Sequence, residues 1–128
     1  MFENLRNDIQ IYHQPFRNRA FWALVLFRYG KWSLQRRFRI SRYITSKIYG
    51  VLKIFSEPIT GITMDRTMQI GRNLHLIHPG HIFLAPKATF GDNCGIMHGV
   101  TVGTVNDREG TPQIGNDVFT GVGACILG

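Results

Sequence analysis

Cysteine is scarce in this chain: there are two in 128 residues, Cys94 and Cys125, both in the second half. So few cysteines exclude a small domain stapled by disulfides. A buried free thiol in a reducing compartment is the expected state. Long apolar runs are also lacking. The longest, Ala20 to Phe27, has eight residues, far short of the roughly 20 that a helix needs to span a bilayer. The first residues, Met1-Phe2-Glu3-Asn4, lack the charged start and apolar stretch of a secretory signal. A cytoplasmic protein is expected. Acidic residues are nearly missing from the front half. Residues 1–60 hold eleven Lys or Arg and three acids, whereas residues 61–128 hold four and five. The net charge of +7 therefore belongs to the front.

What the second half has is a rhythm of six. Met64, Ile70 and Leu76 begin it; Leu84, Phe90, Ile96 and Val102 continue it; Ile114, Thr120 and Ile126 end it. Gly or Ala often follows, and a small or branched residue stands four positions on: Ala88, Cys94, Val100, Val118, Ala124. A helix repeats near 3.6 residues and a flat strand repeats at 2, so a period of six fits neither. It fits a triangular coil in which each face is one short strand and three hexads close a turn. Two breaks interrupt it. Two extra residues near Ile82-Phe83 shift the phase. Between Val102 and Ile114, strict register would bury Arg108, which is too costly for an unpaired guanidinium. Part of residues 104–113 is therefore expected to leave the prism as a loop. About nine hexads, or three coils, remain up to Gly128. An uncapped parallel coil exposes strand edges, so a chain truncated at its C-terminus is expected.

The front half reads as three or four helices. Asn7-Asp8 and Asn18 are candidate starts, and Pro15 and Gly30 candidate interruptions. Ile40, Tyr43, Ile44, Ile48, Val51, Leu52 and Phe55 recur at helical spacing, with Pro58 and Gly61 as the stop. Two regions result: a basic helical one at 1–60 and a coil at 61–128.

Gly95-Ile96-Met97-His98-Gly99-Val100-Thr101-Val102-Gly103, the polar loop, Pro112-Gln113-Ile114-Gly115 and Gly121 to Gly128 resemble the hexapeptide-repeat family. Within it they resemble the serine acetyltransferase-like O-acetyltransferases. The resemblance covers residues 62–128. It implies a mainly β fold, a left-handed parallel β-helix, preceded here by a short α-helical region. It further implies an O-acetyltransferase using acetyl-CoA as cosubstrate, assembled as a homotrimer or higher oligomer with sites between prisms.

Register singles out His78 and His98, each the third residue of its hexad, on the same face of adjacent coils. Parallel strands lie about 4.8 Å apart, so the two are expected to stack near a corner. A neutral histidine, with an ordinary pKa near 6.5, suits deprotonation of a hydroxyl. Gly-rich turns could supply backbone donors for the oxyanion. By resemblance, His78 falls on the family's catalytic base and His98 lines the site. Gly121, Val122, Gly123 and Ala124, with Gly103, fall on the coenzyme-binding turns. Asp65, Asp107 and Arg108 are candidates for acceptor binding.

Three positions depart from true serine acetyltransferases: Ile77 and Thr63 replace aspartates, and Thr111 replaces a histidine. A free amino acid needs opposite charges to read it, whereas a sugar hydroxyl needs hydrogen bonds and a stacking surface. A saccharide or its precursor, as in polysaccharide biosynthesis, is the expected acceptor. A divergent serine O-acetyltransferase and a non-catalytic hexapeptide scaffold are the alternatives. His78, His81 and His98 could be offered as metal ligands, but His98 has no companion five residues on, and no metal is expected. The basic front half suggests contact with an anionic membrane face. No nucleic-acid motif supports the other use of such charge.

Overall fold

A computed structural model describes residues 2–12, 15–105 and 110–128, and the side chains of all of these except residues 2–4 and 15. The described residues form helices α1 (Phe2–Ile11), α2 (Arg19–Leu34) and α3 (Arg39–Thr60), with a single 3-10 turn at Pro15–Arg17. Ten short strands follow: β1 (Ile62–Thr63), β2 (Gln69–Ile70), β3 (His75–Leu76), β4 (Ile82–Leu84), β5 (Thr89–Phe90), β6 (Gly95–Ile96), β7 (Thr101–Gly103), β8 (Gln113–Ile114), β9 (Phe119–Thr120) and β10 (Cys125–Leu127).

The strands build a left-handed β-helix of about three turns. Face one stacks β1-β4-β7-β10, face two β2-β5-β8 and face three β3-β6-β9, all in parallel. Met64, Leu84 and Val102 point inward from face one; Leu76 and Ile96 point inward from face three, and Phe90 from face two. All six are buried. The small residues of the repeat, Ala88, Cys94 and Val100, are buried at the corners. Thr120 fills an inward slot without a polar penalty, because its hydroxyl donates to the Gly95 carbonyl at 3.1 Å. Of the two thiols, Cys94 is buried as expected, but Cys125 is exposed, since it stands on the outward row of β10. Both are free.

The corners between faces two and three explain the asparagines. Asn73, Asn93 and Asp117 hold φ near +58° to +59°, which short side chains that bond locally tolerate best. Asn73 donates to Asn93 across turns at 2.8 Å. Gly91 precedes one such corner. A Cβ there would lie 2.7 Å from the Gly115 carbonyl carbon, so adjacent turns require glycine.

The structure moves the first break in the repeat and keeps the second between Val102 and Ile114. Ile82 pairs with Ile62, and Phe83 with Thr101, in regular register. The two extra residues therefore lie in the corner between Ile77 and His81, one step earlier than the sequence reading placed them. The loop begins after Gly103, and the prism resumes at Pro112, whose carbonyl accepts from Thr89 N–H at 3.2 Å. Residues 106–109, including Arg108, lie outside the described residues.

The helices differ from expectation in three places. Asn7-Asp8 lie inside α1 rather than at a start. Gly30 lies inside α2, where a Cβ would meet the Tyr49 ring at 2.4 Å; its role is close packing of α2 on α3. Pro58 sits inside α3, and Gly61 alone caps it, at φ 66° with its N–H donating to Glu57 O. Asn18 does cap α2, its side chain accepting from Ala20 N–H at 2.9 Å.

The helical region shares one core with the coil through Tyr12, Phe21, Leu24 and Phe27. Its side chains also close the first turn's open edge. Arg28 Nη2 donates to Gly71 O at 3.0 Å, Lys31 Nζ donates to Met68 O, and the Tyr12 oxygen accepts from Leu76 N–H at 2.8 Å. Unpaired edge groups buried without partners would each cost on the order of 1–3 kcal/mol.

Candidate active site

The corner from face three to face one carries the histidines. It follows β3 on the first turn, β6 on the second and β9 on the third. Pairing of Leu76 with Ile96 and Ile96 with Thr120 aligns His78, His98 and Val122. The His78 and His98 rings meet edge to face, centroids 5.7 Å apart at 61°. Both side chains are exposed. The corner's two extra residues, among His78-Pro79-Gly80, push the first turn outward at this point. Its base is fixed: Ile77 N–H donates to Ile96 O at 2.9 Å, and Gly99 N–H to Gly80 O at 3.1 Å. Asn18 reaches the Ile77 carbonyl at 3.5 Å, so the capping residue of α2 also touches this corner.

Gly121, Val122, Gly123 and Ala124 form the next turn of the same stack. Val122 is 58% exposed. A Cβ at Gly121 or Gly123 would meet nothing within 4 Å, so the backbone is open to a ligand lying along it. Two of its amides are already used: Gly123 N–H donates to His98 O and Ala124 N–H to Gly121 O, each at 3.2 Å. Neither is free to hold an oxyanion, contrary to the simplest expectation for a glycine-rich turn.

The remaining candidates lie elsewhere. Gly103 is buried at the far end of face one, where Leu127 covers it at 3.7 Å from an added Cβ. Asp65 follows β1, at the corner between faces one and two. Its carboxylate accepts from Thr67 N–H at 2.8 Å and lies 3.8 Å from Lys53 Nζ. Burial opposes its ionisation, yet the Thr67 hydrogen bonds and the Lys53 charge hold it below the usual carboxylate value. It is a structural carboxylate, separated from the histidines by a whole face. Asp107 and Arg108 lie outside the described residues. Thr111 donates to Lys87 O at 3.0 Å. Among the described residues, no three His, Cys, Asp or Glu side chains gather as a metal-binding group.

The sequence reading missed a cavity of about 530 Å³ between α1 and face three. Asn7, Gln10, His75, Ile77, Asn93 and Phe119 are among its walls. It adjoins the histidine corner through Ile77. His75 stands edge to face on Tyr12 at 4.7 Å. Burial, and then the charge of nearby His78, hold its imidazole below the usual value. The signal was its outward position just before inward Leu76, but only the docking of α1 makes that position a wall.

A stability test follows. The unfolded imidazole titrates near 6.5, and the folded value lies lower. The neutral ring's contribution is complete above 6.5 and is lost as pH falls through the folded value. Denaturant midpoints should drop between neutral and mildly acidic pH, and His75→Gln should flatten that slope. An unchanged slope would remove His75 as its source.

No known family profile matches the chain. It is 33% identical over 108 residues to a serine acetyltransferase from Helicobacter pylori, covering 83% of this chain and 59% of that protein. It is 28% identical over 137 residues to a serine acetyltransferase from Staphylococcus epidermidis, covering 100% and 63%. The structure superposes on a serine acetyltransferase in complex with coenzyme A from Brucella abortus with a TM-score of 0.81, at 26% identity, over 99% of this chain and 53% of that one. The chain thus spans about three-fifths of the length of these two curated relatives.

Proposed function

We propose, on the premise that the chain belongs to the hexapeptide-repeat (left-handed β-helix) acyltransferase family, in its serine acetyltransferase-like branch, that it moves an acetyl group from acetyl-CoA to the hydroxyl of L-serine. The observation carrying this reading is one corner stack: two histidines in contact, then an open glycine turn.

His78 is the proposed general base. Its neutral imidazole takes the proton of the acceptor hydroxyl as the oxygen attacks the thioester carbonyl. A C–O bond forms and the C–S bond breaks. The proton then passes from His78 to the departing thiolate, leaving CoA–SH and the acetyl ester. His98, one turn on, lines the acceptor. Gly121 to Ala124 offer backbone to the coenzyme. The closed geometry at Gly103 argues against a role there, and the Lys53 pairing argues against Asp65. Asp107 and Arg108 stay in the proposal as acceptor-reading charges. A homotrimer, with each site between two prisms, belongs to the same reading.

Serine replaces the saccharide expected from Thr63, Ile77 and Thr111, because the similar proteins are named serine acetyltransferases. None of those three positions supplies a charge, so serine's ammonium and carboxylate must be read by other groups. The test is CoA release from acetyl-CoA by the longest available form of the protein. One arm offers L-serine and the other a panel of sugars and nucleotide sugars. Turnover with serine is expected. Turnover with a sugar alone would restore the saccharide reading, and turnover with nothing would leave a scaffold.

A further inference from the structure

Helix α3 is turned inside out. Its 22 residues carry a continuous apolar stripe, and that stripe faces solvent. Ile40 is 75% exposed, Ile54 71%, Phe55 64% and Ile59 59%. The opposite, polar side docks on the protein. Tyr29 donates its hydroxyl hydrogen to Thr45 O at 3.2 Å, Arg66 donates to Ser46 Oγ at 3.0 Å, and Lys53 faces Asp65 at 3.8 Å. Only Tyr49 and Thr60 of α3 are buried. An apolar face of this length is far larger than the isolated exposed residues of ordinary surfaces. It continues onto α2 through a groove of about 530 Å³, with Trp22, Val25 and Leu26 on one side and Leu52, Phe55 and Ile59 on the other.

Charge decides what covers it. The helix is entered through Arg36, Arg37 and Arg39, and Arg42 and Lys47 follow on its first turns. Arg37, Arg39, Arg42 and Lys47 are exposed. Phe38, 70% exposed, sits among them, with the Arg37 guanidinium 5.9 Å from its ring. The two described acids of this half do not offset the cations: Glu57 lies 3.9 Å from Lys53, and Asp8 is buried on Arg28. A second copy meeting this face would set one basic rim against another, which opposes association. A surface of anionic headgroups over hydrocarbon complements both features. Among the described residues no helix is long and apolar enough to cross a membrane, so α3 would lie along the interface.

We propose that α3 is a membrane-surface helix that docks this chain on anionic phospholipid. The isoleucines, Val51 and Phe55 enter the acyl boundary, and the arginines and Lys47 stay at headgroup level. The proposal is independent of the acetyl-transfer reading.

Vesicle flotation of the full chain tests it. Binding to phosphatidylcholine vesicles containing phosphatidylglycerol is expected to exceed binding to phosphatidylcholine alone by about tenfold or more, and to weaken in high salt. Ile44→Glu with Val51→Glu should lower it by about tenfold or more. Both side chains point to solvent, so the melting temperature should hold. Equal binding or no binding to the two vesicle types overturns the proposal. A soluble oligomer that the same double variant dissolves also overturns it and assigns the face to a second copy. If the double variant fails to fold, the wild-type vesicle comparison still decides.

Discussion

Replacing the proposed base, His78→Ala, is expected to cut kcat/KM for acetyl transfer by about 10²–10⁴, or roughly 3–5 kcal/mol of barrier. The chain should remain folded, because the His78 side chain is exposed and its corner is held by backbone bonds from Ile77 and Gly99. His98→Ala should cost less, about tenfold, since in the proposed reaction it lines the acceptor and need not carry the proton. The assay is CoA release with saturating acetyl-CoA, paired with circular dichroism on the same samples. A His78→Ala enzyme within about threefold of wild type would move the base elsewhere, with His98 the next histidine to replace. Equal, large losses from both single variants would mean that the two rings act as one unit.

Arg28→Ala is expected to destabilise the fold by about 3–5 kcal/mol. Arg28 and Asp8 form an ion pair at 3.0 Å, with the arginine 4% and the aspartate 0% exposed. Burial pushes the Asp8 carboxyl up, while the Arg28 charge and hydrogen bond pull it back. Its other oxygen, Oδ1, has no hydrogen-bond partner among the described residues, so none of them offsets the charge once Arg28 is gone. The same side chain closes Gly71 O on the first turn of the coil. A raised folded pKa means that the contribution is fully present below the unfolded value of 3.8. It is lost as pH rises through the folded value. Removing Arg28 raises that folded value further, so the deficit of the variant should be larger at neutral than at acid pH. Asp8→Leu combined with Arg28→Ala should cost less than Arg28→Ala alone, because no unpaired charge remains. A loss under about 1 kcal/mol for Arg28→Ala would show that Asp8 has another way to be satisfied.

Much of the coil was legible because its signal is local and repeated. A period of six has one simple geometric solution, and inward Leu76, Ile96 and Val102 obey it. The meeting of His78 and His98 was legible for the same reason: parallel stacking converts a sequence spacing into a distance. The position of the first break was less so. Counting apolar residues put the insertion near Ile82, but Ile82 itself occupies a paired, inward position. A shift in phase marks that residues were added without saying which ones bulge. Asp65 shows the opposite failure. It lies near His78 in sequence, but thirteen residues carry the chain along two faces to a different corner of the triangular prism, and Lys53 from α3 was already its neighbour.

The proposed acceptor differs from the saccharide expected above for a related reason. Three uncharged positions were weighed as if the site were built from them alone. The similar proteins are named serine acetyltransferases, and Asp107, Arg108 and Glu109 lie outside the described residues.

By itself the sequence determined the coil, its three-sided cross-section, the histidine corner and the basic, helical character of the first 60 residues. These follow from periodicity and composition, which act over a few residues at a time. Only the tertiary structure decided which side of α3 meets the body, that Gly30 admits Tyr49, and that Asp8 and Arg28 meet in the core. Only it joined α1 to face three around His75. Each of these joins residues far apart in the chain. An amphipathic stripe announces that a helix has two faces, but the partners of Thr45, Ser46 and Lys53 determine which one turns inward.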